Sequence, residues 1–190
     1  MAIKIDHIVV GMFQENTYFL IADNNKTVIV DPGGSGHEIV QYLNMNKLTP
    51  VMIINTHGHP DHIEANEFIK EKYNIPIYIH PDDADFFEVS FDKSIRDGDE
   101  IEFEGEKLRV LHTPGHTMGS VCIIGDGFML TGDILFAGSI GRTDLGGDMK
   151  VMKNTLENKF EDIPGDAVLY PGHGPSTTMG IERQTNPYLQ

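Results

Sequence analysis

The chain has 190 residues, 39% of them hydrophobic, enough to bury one sizeable core but not several independent domains. Its 14 Lys and Arg stand against 29 Asp and Glu, and the resulting net charge of −15 repels phosphate backbones and anionic headgroups, which argues against nucleic acid and membranes as partners. With 23% charged residues and a mean hydropathy of −0.23, the composition suits a globular chain, neither disordered nor bilayer-spanning.

Ile3–Val10, Asn16–Ala22 and Lys26–Val30 read as three strands, the last two joined by the turn Asp23-Asn24-Asn25, giving an antiparallel opening. Asp31-Pro32-Gly33-Gly34-Ser35-Gly36 breaks that pattern, and Glu38–Lys47 carries Ile39, Val40 and Leu43 at helical spacing. Val51–Ile54 is apolar on both faces, as a central strand is, and Asp61–Lys72 is expected to be one helix with Ile63, Phe68 and Ile69 inward. Ile75–Ile79 is a further strand, and Pro81-Asp82-Asp83 starts a short helix. The second half repeats the order with strands at Glu100–Phe103, Lys107–Leu111, Val121–Ile124, Phe128–Leu130 and Val168–Tyr170, a helix over Asp148–Phe160, and a closing helix begun by Ser176–Glu182. Such halves suggest two packed sheets with helices outside. Cys122, the single cysteine, lies in an apolar strand and is expected to be a buried, inert thiol. Met1-Ala2-Ile3-Lys4-Ile5-Asp6-His7 has charge where a secretory signal needs unbroken apolar residues, so a cytoplasmic location is expected.

The chemistry concentrates in Thr56-His57-Gly58-His59-Pro60-Asp61-His62, between a strand and a helix. Side chains at i and i+2 leaving a strand point the same way, so His57 and His59 can grip one ion while Asp61 and His62 face a second. Four neighbouring residues leave each ion half-coordinated, and three further ligand types follow strands in Gly-punctuated loops: His116 in Thr113-Pro114-Gly115-His116-Thr117, Asp133 in Thr131-Gly132-Asp133, and His173 in Pro171-Gly172-His173-Gly174.

These segments, in this order, resemble the metallo-β-lactamase fold superfamily over nearly the whole chain, and are most similar to the short, single-domain relatives of glyoxalase II, the hydroxyacylglutathione hydrolases. The resemblance implies an α/β fold: an αββα sandwich of two mixed β-sheets flanked by helices, forming a single domain over 1–190 without the helical C-terminal domain of full-length glyoxalase II. It assigns His57, His59 and His116 to one metal and Asp61, His62 and His173 to another, with Asp133 bridging. Asp31 fits behind the ligands, orienting an imidazole, and equally suits a turn before Pro32-Gly33; His112 is either structural or similarly placed. Arg142, in Gly141-Arg142-Thr143-Asp144, either binds a substrate carboxylate or braces its loop against Asp144. His7, His37 and His80 sit in no motif.

The implied cofactors are two divalent ions, zinc first, with iron and manganese as alternatives, about 3.5–4 Å apart and activating a water between them. Asp61 and Asp133 are the carboxylates expected to take part in catalysis, and the partner is a small-molecule thioester of the S-lactoylglutathione type, whose thiolate leaves without much acid assistance. A mononuclear iron persulfide dioxygenase, using His57, His116 and Asp133, is the alternative, and a metal-stabilised binding module without activity the third reading.

Overall fold

The computed structural model describes residues 3–190. Strands β1 (Lys4–Val10), β2 (Glu15–Ile21) and β3 (Lys26–Val30) form the antiparallel opening, and β4 (Thr49–Ile54), β5 (Ile77–Ile79) and β6 (Lys93–Ser94) continue the sheet in parallel. Parallel neighbours need a crossover, supplied by α1 (Gly36–Met45) and then by α2 (Pro60–Ile63) and α3 (Asn66–Tyr73). After α4 (Pro81–Phe86), the second sheet runs antiparallel through β7 (Glu100–Phe103), β8 (Glu106–His112), β9 (Val121–Gly125) and β10 (Phe128–Gly132). Helix α5 (Met149–Asn158) then carries the chain to β11 (Val168–Pro171), parallel to β10, with β12 (Thr177–Thr178) at the edge before α6 (Met179–Thr185).

Each sheet has six strands, and both faces of the central ones are buried, so residues alternate between two apolar layers. Tyr18, Leu20, Val28 and Val30 face Leu108, Val110, Val121 and Ile123 between the sheets. The intervening Phe19, Ile29 and Ile53 meet Ile39, Leu43 and Ile69 from α1 and α3, while Cys122, Met129 and Leu169 meet Met152 and Leu156 from α5. Fully burying each Leu, Ile or Phe contributes about 1.5–3 kcal/mol. The result is two mixed sheets flanked by helices. Among the described residues no helix is long and apolar enough to cross a membrane.

The expected helix over Asp61–Lys72 is broken. Ala65 leaves helical geometry at φ −93°, ψ 1°, and α2 ends after one turn. The cause is a buried amide pair: Asn66 donates to Asn55, and Asn55 donates to the His62 carbonyl, taking it out of a continuous helical ladder. The break turns Phe68 outward, where it is 39% exposed and lies against His37, contrary to the inward position expected of it, while Ile69 is buried. The two-residue strands β6 and β12 carry too little periodicity to be read from sequence.

Candidate metal centre

The ends of β3, β4, β8, β10 and β11 deliver Asp31, His57, His116, Asp133 and His173 toward the loop and first turn holding His59, Asp61 and His62. His57 and His62 are fully buried; Asp61 and His173, with side chains 25% exposed, form the open side. Two groups of donor atoms result. In the first, His57 Nε2 lies 3.0 Å from His59 Nδ1, and His116 Nε2 lies 2.9 Å from His59 Nδ1 and 3.3 Å from His57 Nε2. In the second, His173 Nε2 is 3.3 Å from His62 Nε2 and 3.2 Å from Asp61 Oδ2. Asp133 lies between them, Oδ1 3.5 Å from His62 Nε2 and Oδ2 3.5 Å from His116 Nε2.

The rear nitrogens fix which ring atoms are free. His59 Nε2 donates to the Leu145 carbonyl at 2.8 Å, His116 Nδ1 to that of Arg142 at 2.6 Å, and His173 Nδ1 to that of Phe13 at 3.1 Å. His62 Nδ1 donates to Asp31 Oδ2 at 3.0 Å. The Thr56 hydroxyl donates to the same oxygen at 2.6 Å and so accepts from His57 Nδ1 at 3.1 Å. The first group therefore presents three imidazole lone pairs to one another with no proton to share, an arrangement that a cation would satisfy. A tetrahedral ion with metal–nitrogen bonds of about 2.0–2.1 Å would set its ligands about 3.3 Å apart, close to the observed spacings. Each group, His57-His59-His116 and Asp61-His62-His173, could hold a metal ion, as could Asp31-His57-His62 behind them.

The electrostatics agree. Burial and the surrounding imidazoles hold His57 well below the ordinary histidine range, and burial lowers His116 to about 4, so both are neutral at pH 7, the form a metal ion needs. At His62 burial opposes charge, yet Asp133 and Asp31 carry it well above the usual range, marking a position that calls for positive charge. Burial likewise opposes ionisation of Asp61, but His173 and His62 bring it down to about 2. Asp133 Oδ1 is buried without a hydrogen-bond partner, an orphan that a cation would satisfy.

Over the centre opens a cleft of about 580 Å³ walled by Phe13, Pro60, Phe136 and Leu145. Arg142 also lines it, but its guanidinium is engaged by Asp144 through two 2.6 Å bonds. His112 is not brought to the centre: its ring stacks on His80 at 4.4 Å and 4°, and its Nε2 donates to the Met118 carbonyl. His80, Asp82 and His112 bring donor atoms near one another, but parallel rings cannot aim in-plane lone pairs at one ion.

Three contributors were not among the expected site residues. Thr56 relays Asp31 to His57. Glu15 is buried 3.9 Å from His62 Nδ1, and burial pushes its carboxyl well above the usual range. Asp83 is buried beside both ligand-bearing loops of the first group. Only the placement of Thr56 immediately before His57 offered a signal.

Among curated proteins, the chain is 38% identical to the probable metallo-hydrolase YqgX of Bacillus subtilis, covering 95% of this chain and 94% of that one. It is 30% identical to the hydroxyacylglutathione hydrolase GloC of Haemophilus influenzae, over 98% of each. Of solved structures, BLEG-1, described as a B3 metallo-beta-lactamase, superposes with a TM-score of 0.93 at 33% identity, covering 98% of this chain and all of that one. TTHA1623, crystallised in a di-iron-bound form, superposes with a TM-score of 0.84 at 32% identity, covering 97% and 100%. A family model matches residues 10–173, and with these relatives and this donor cluster the chain belongs to the metallo-beta-lactamase superfamily.

Proposed function

We propose that the protein hydrolyses a small thioester of the hydroxyacylglutathione type and holds two divalent ions, zinc first, in the groups His57-His59-His116 and Asp61-His62-His173, with Asp133 between them. The observation that carries this reading is the convergence of two donor groups on Asp133, whose buried Oδ1 lacks a hydrogen-bond partner, while the rear nitrogens of all five imidazoles are occupied. Similarity to GloC over 98% of both chains supports the substrate class, and a di-iron-bound relative supports two ions with iron as an alternative to zinc.

When bound, the ions would lower the pKa of a water toward neutrality and polarise the thioester carbonyl. The chain's residues supply the rest. The neutral imidazoles of His57 and His116 give strong donors without adding charge. Asp61, at the open side of the cleft, would complete the second group beside His62 and His173 with a carboxylate. Phe13, Pro60, Phe136 and Leu145 give the acyl group apolar walls to lie against, and the thiolate leaving group itself needs little acid help.

The test is metal analysis of protein purified without chelator, with S-lactoylglutathione hydrolysis and glutathione-persulfide-dependent oxygen uptake measured on the same sample. Two ions per chain with hydrolysis supports the proposal. One iron with oxygen uptake replaces it with the dioxygenase reading, and tight metal with turnover of no ester or thioester replaces it with a binding module. Asp133→Ala should lose metal and hydrolysis together; full activity in that variant ends the two-ion proposal.

A further inference from the structure

Asp83 lies in α4, outside the segments that carry the candidate metal ligands, and is 1% exposed. Its Oδ2 accepts the backbone N–H of Gly58 at 2.8 Å and the hydroxyl of Thr117 at 2.7 Å, and its Oδ1 accepts the N–H of Gly119 at 2.6 Å. Gly58 is the residue between His57 and His59, and Thr117 immediately follows His116. One buried carboxylate thus ties together the two loops that supply all three imidazoles of the first group. The tie has a fixed direction, because the Thr117 hydroxyl gives its single proton to Asp83 and accepts from Ser120 Oγ at 2.6 Å.

Among the described residues no single side chain ties the two loops of the second group together: His62 is held by Asp31 and Asn55, and His173 by the Phe13 carbonyl, with Asn16 bracing the flanking Pro171 and Gly174 carbonyls. Asp31 serves both groups, since it also reaches His57 through Thr56. We propose that Asp83 is a positioning residue for the His57-His59-His116 group alone, clamping the Gly58 and Thr117 loops so that this group's affinity for a divalent cation is set separately from that of Asp61-His62-His173. The proposal rests on the two-ion reading of the centre. Its physical basis is that three imidazole lone pairs within 3.3 Å of one another repel, and the loops carrying them spread unless something behind holds them together.

The probe is cobalt(II), titrated into metal-free protein and followed by paramagnetically shifted ring N–H signals of the five histidines in proton NMR, in wild type, Asp83→Asn, Thr117→Val and Thr117→Ser. Loss of an orienting partner behind a ligand costs about 10–100-fold in metal affinity. In Asp83→Asn, the signals of His57, His59 and His116 should therefore need about 10–100-fold more free cobalt, while those of His62 and His173 appear at the wild-type concentration. Thr117→Val keeps the carboxylate charge and removes one leg of the clamp, so it should weaken the same group by a smaller factor, and Thr117→Ser should restore it. Equal weakening of both groups, or no weakening of either, overturns the proposal; should Asp83→Asn fail to fold, the Thr117 pair decides by the same criterion. Wild-type protein that binds no cobalt overturns the metal centre itself. Wild-type protein that binds two ions, with variants that lose selectivity nowhere, overturns only the role of Asp83.

Discussion

Replacing Asp31 with asparagine isolates the charge and acceptor pattern behind the metal centre from backbone effects. Asp31 has φ +51°, a left-handed conformation that asparagine tolerates better than any other residue except glycine, so Asp31→Asn leaves the turn intact. The carboxylate accepts from Thr56 N at 2.7 Å through Oδ1, and from Thr56 Oγ1 at 2.6 Å and His62 Nδ1 at 3.0 Å through Oδ2. An amide offers one acceptor oxygen and one NH₂. If the NH₂ replaces Oδ2, Thr56 must turn its proton to His57 and His62 must carry its own on Nε2. Both imidazoles then present N–H toward the metal side, and affinity should fall about 10–100-fold, or about 1.4–2.8 kcal/mol. If the NH₂ instead replaces Oδ1, it opposes the buried Thr56 N–H, and leaving that donor unpaired costs about 1–3 kcal/mol of folding free energy. The measurements are chelator competition for metal affinity and the urea midpoint of the metal-free protein. One of the two must move by these amounts; a variant that matches wild type in both would refute the relay from Asp31 to the histidines.

Gly132→Ala should destabilise the fold by about 2 kcal/mol or more, because φ at this position is +49° and an added Cβ would stand 2.5 Å from Thr56 Oγ1. It should also weaken metal binding through His57, and an unchanged urea midpoint would contradict it. Cys122 is fully buried, and burial raises its thiol to about 12, so an aromatic disulfide reagent should modify it only as fast as the protein unfolds; modification of the native protein within seconds would count against this. Arg142→Met should leave KM for S-lactoylglutathione unchanged, since Asp144 engages the Nε–Nη2 edge of the guanidinium and braces the loop, and a raised KM would assign it to substrate instead.

Much of the fold was legible because alternation is a local property. Tyr18, Phe19, Leu20 and Ile21 send side chains to opposite layers simply by following one another along a strand, and both layers are apolar. The candidate site was legible for a similar reason: His57 and His59 leave β4 two residues apart, and His116, Asp133 and His173 each follow a strand beside a glycine. The helix break at Ala65 was not legible, because it depends on an amide pair between Asn55 and Asn66, which meet only once β4 packs beside α3. Nor was the outer support of the imidazoles. The carbonyls of Phe13, Arg142 and Leu145 hold three of them, and a carbonyl is the same on every residue, so no side-chain pattern can announce it. Asp83 is legible only in three dimensions for a related reason, as its partners are two backbone amides and a hydroxyl from loops far apart in the chain. The sequence by itself determined which residues could bind metal and which strands would carry them; tertiary packing alone decided which ring nitrogen each histidine presents, because the proton on the other nitrogen goes to whatever acceptor the folded chain puts there.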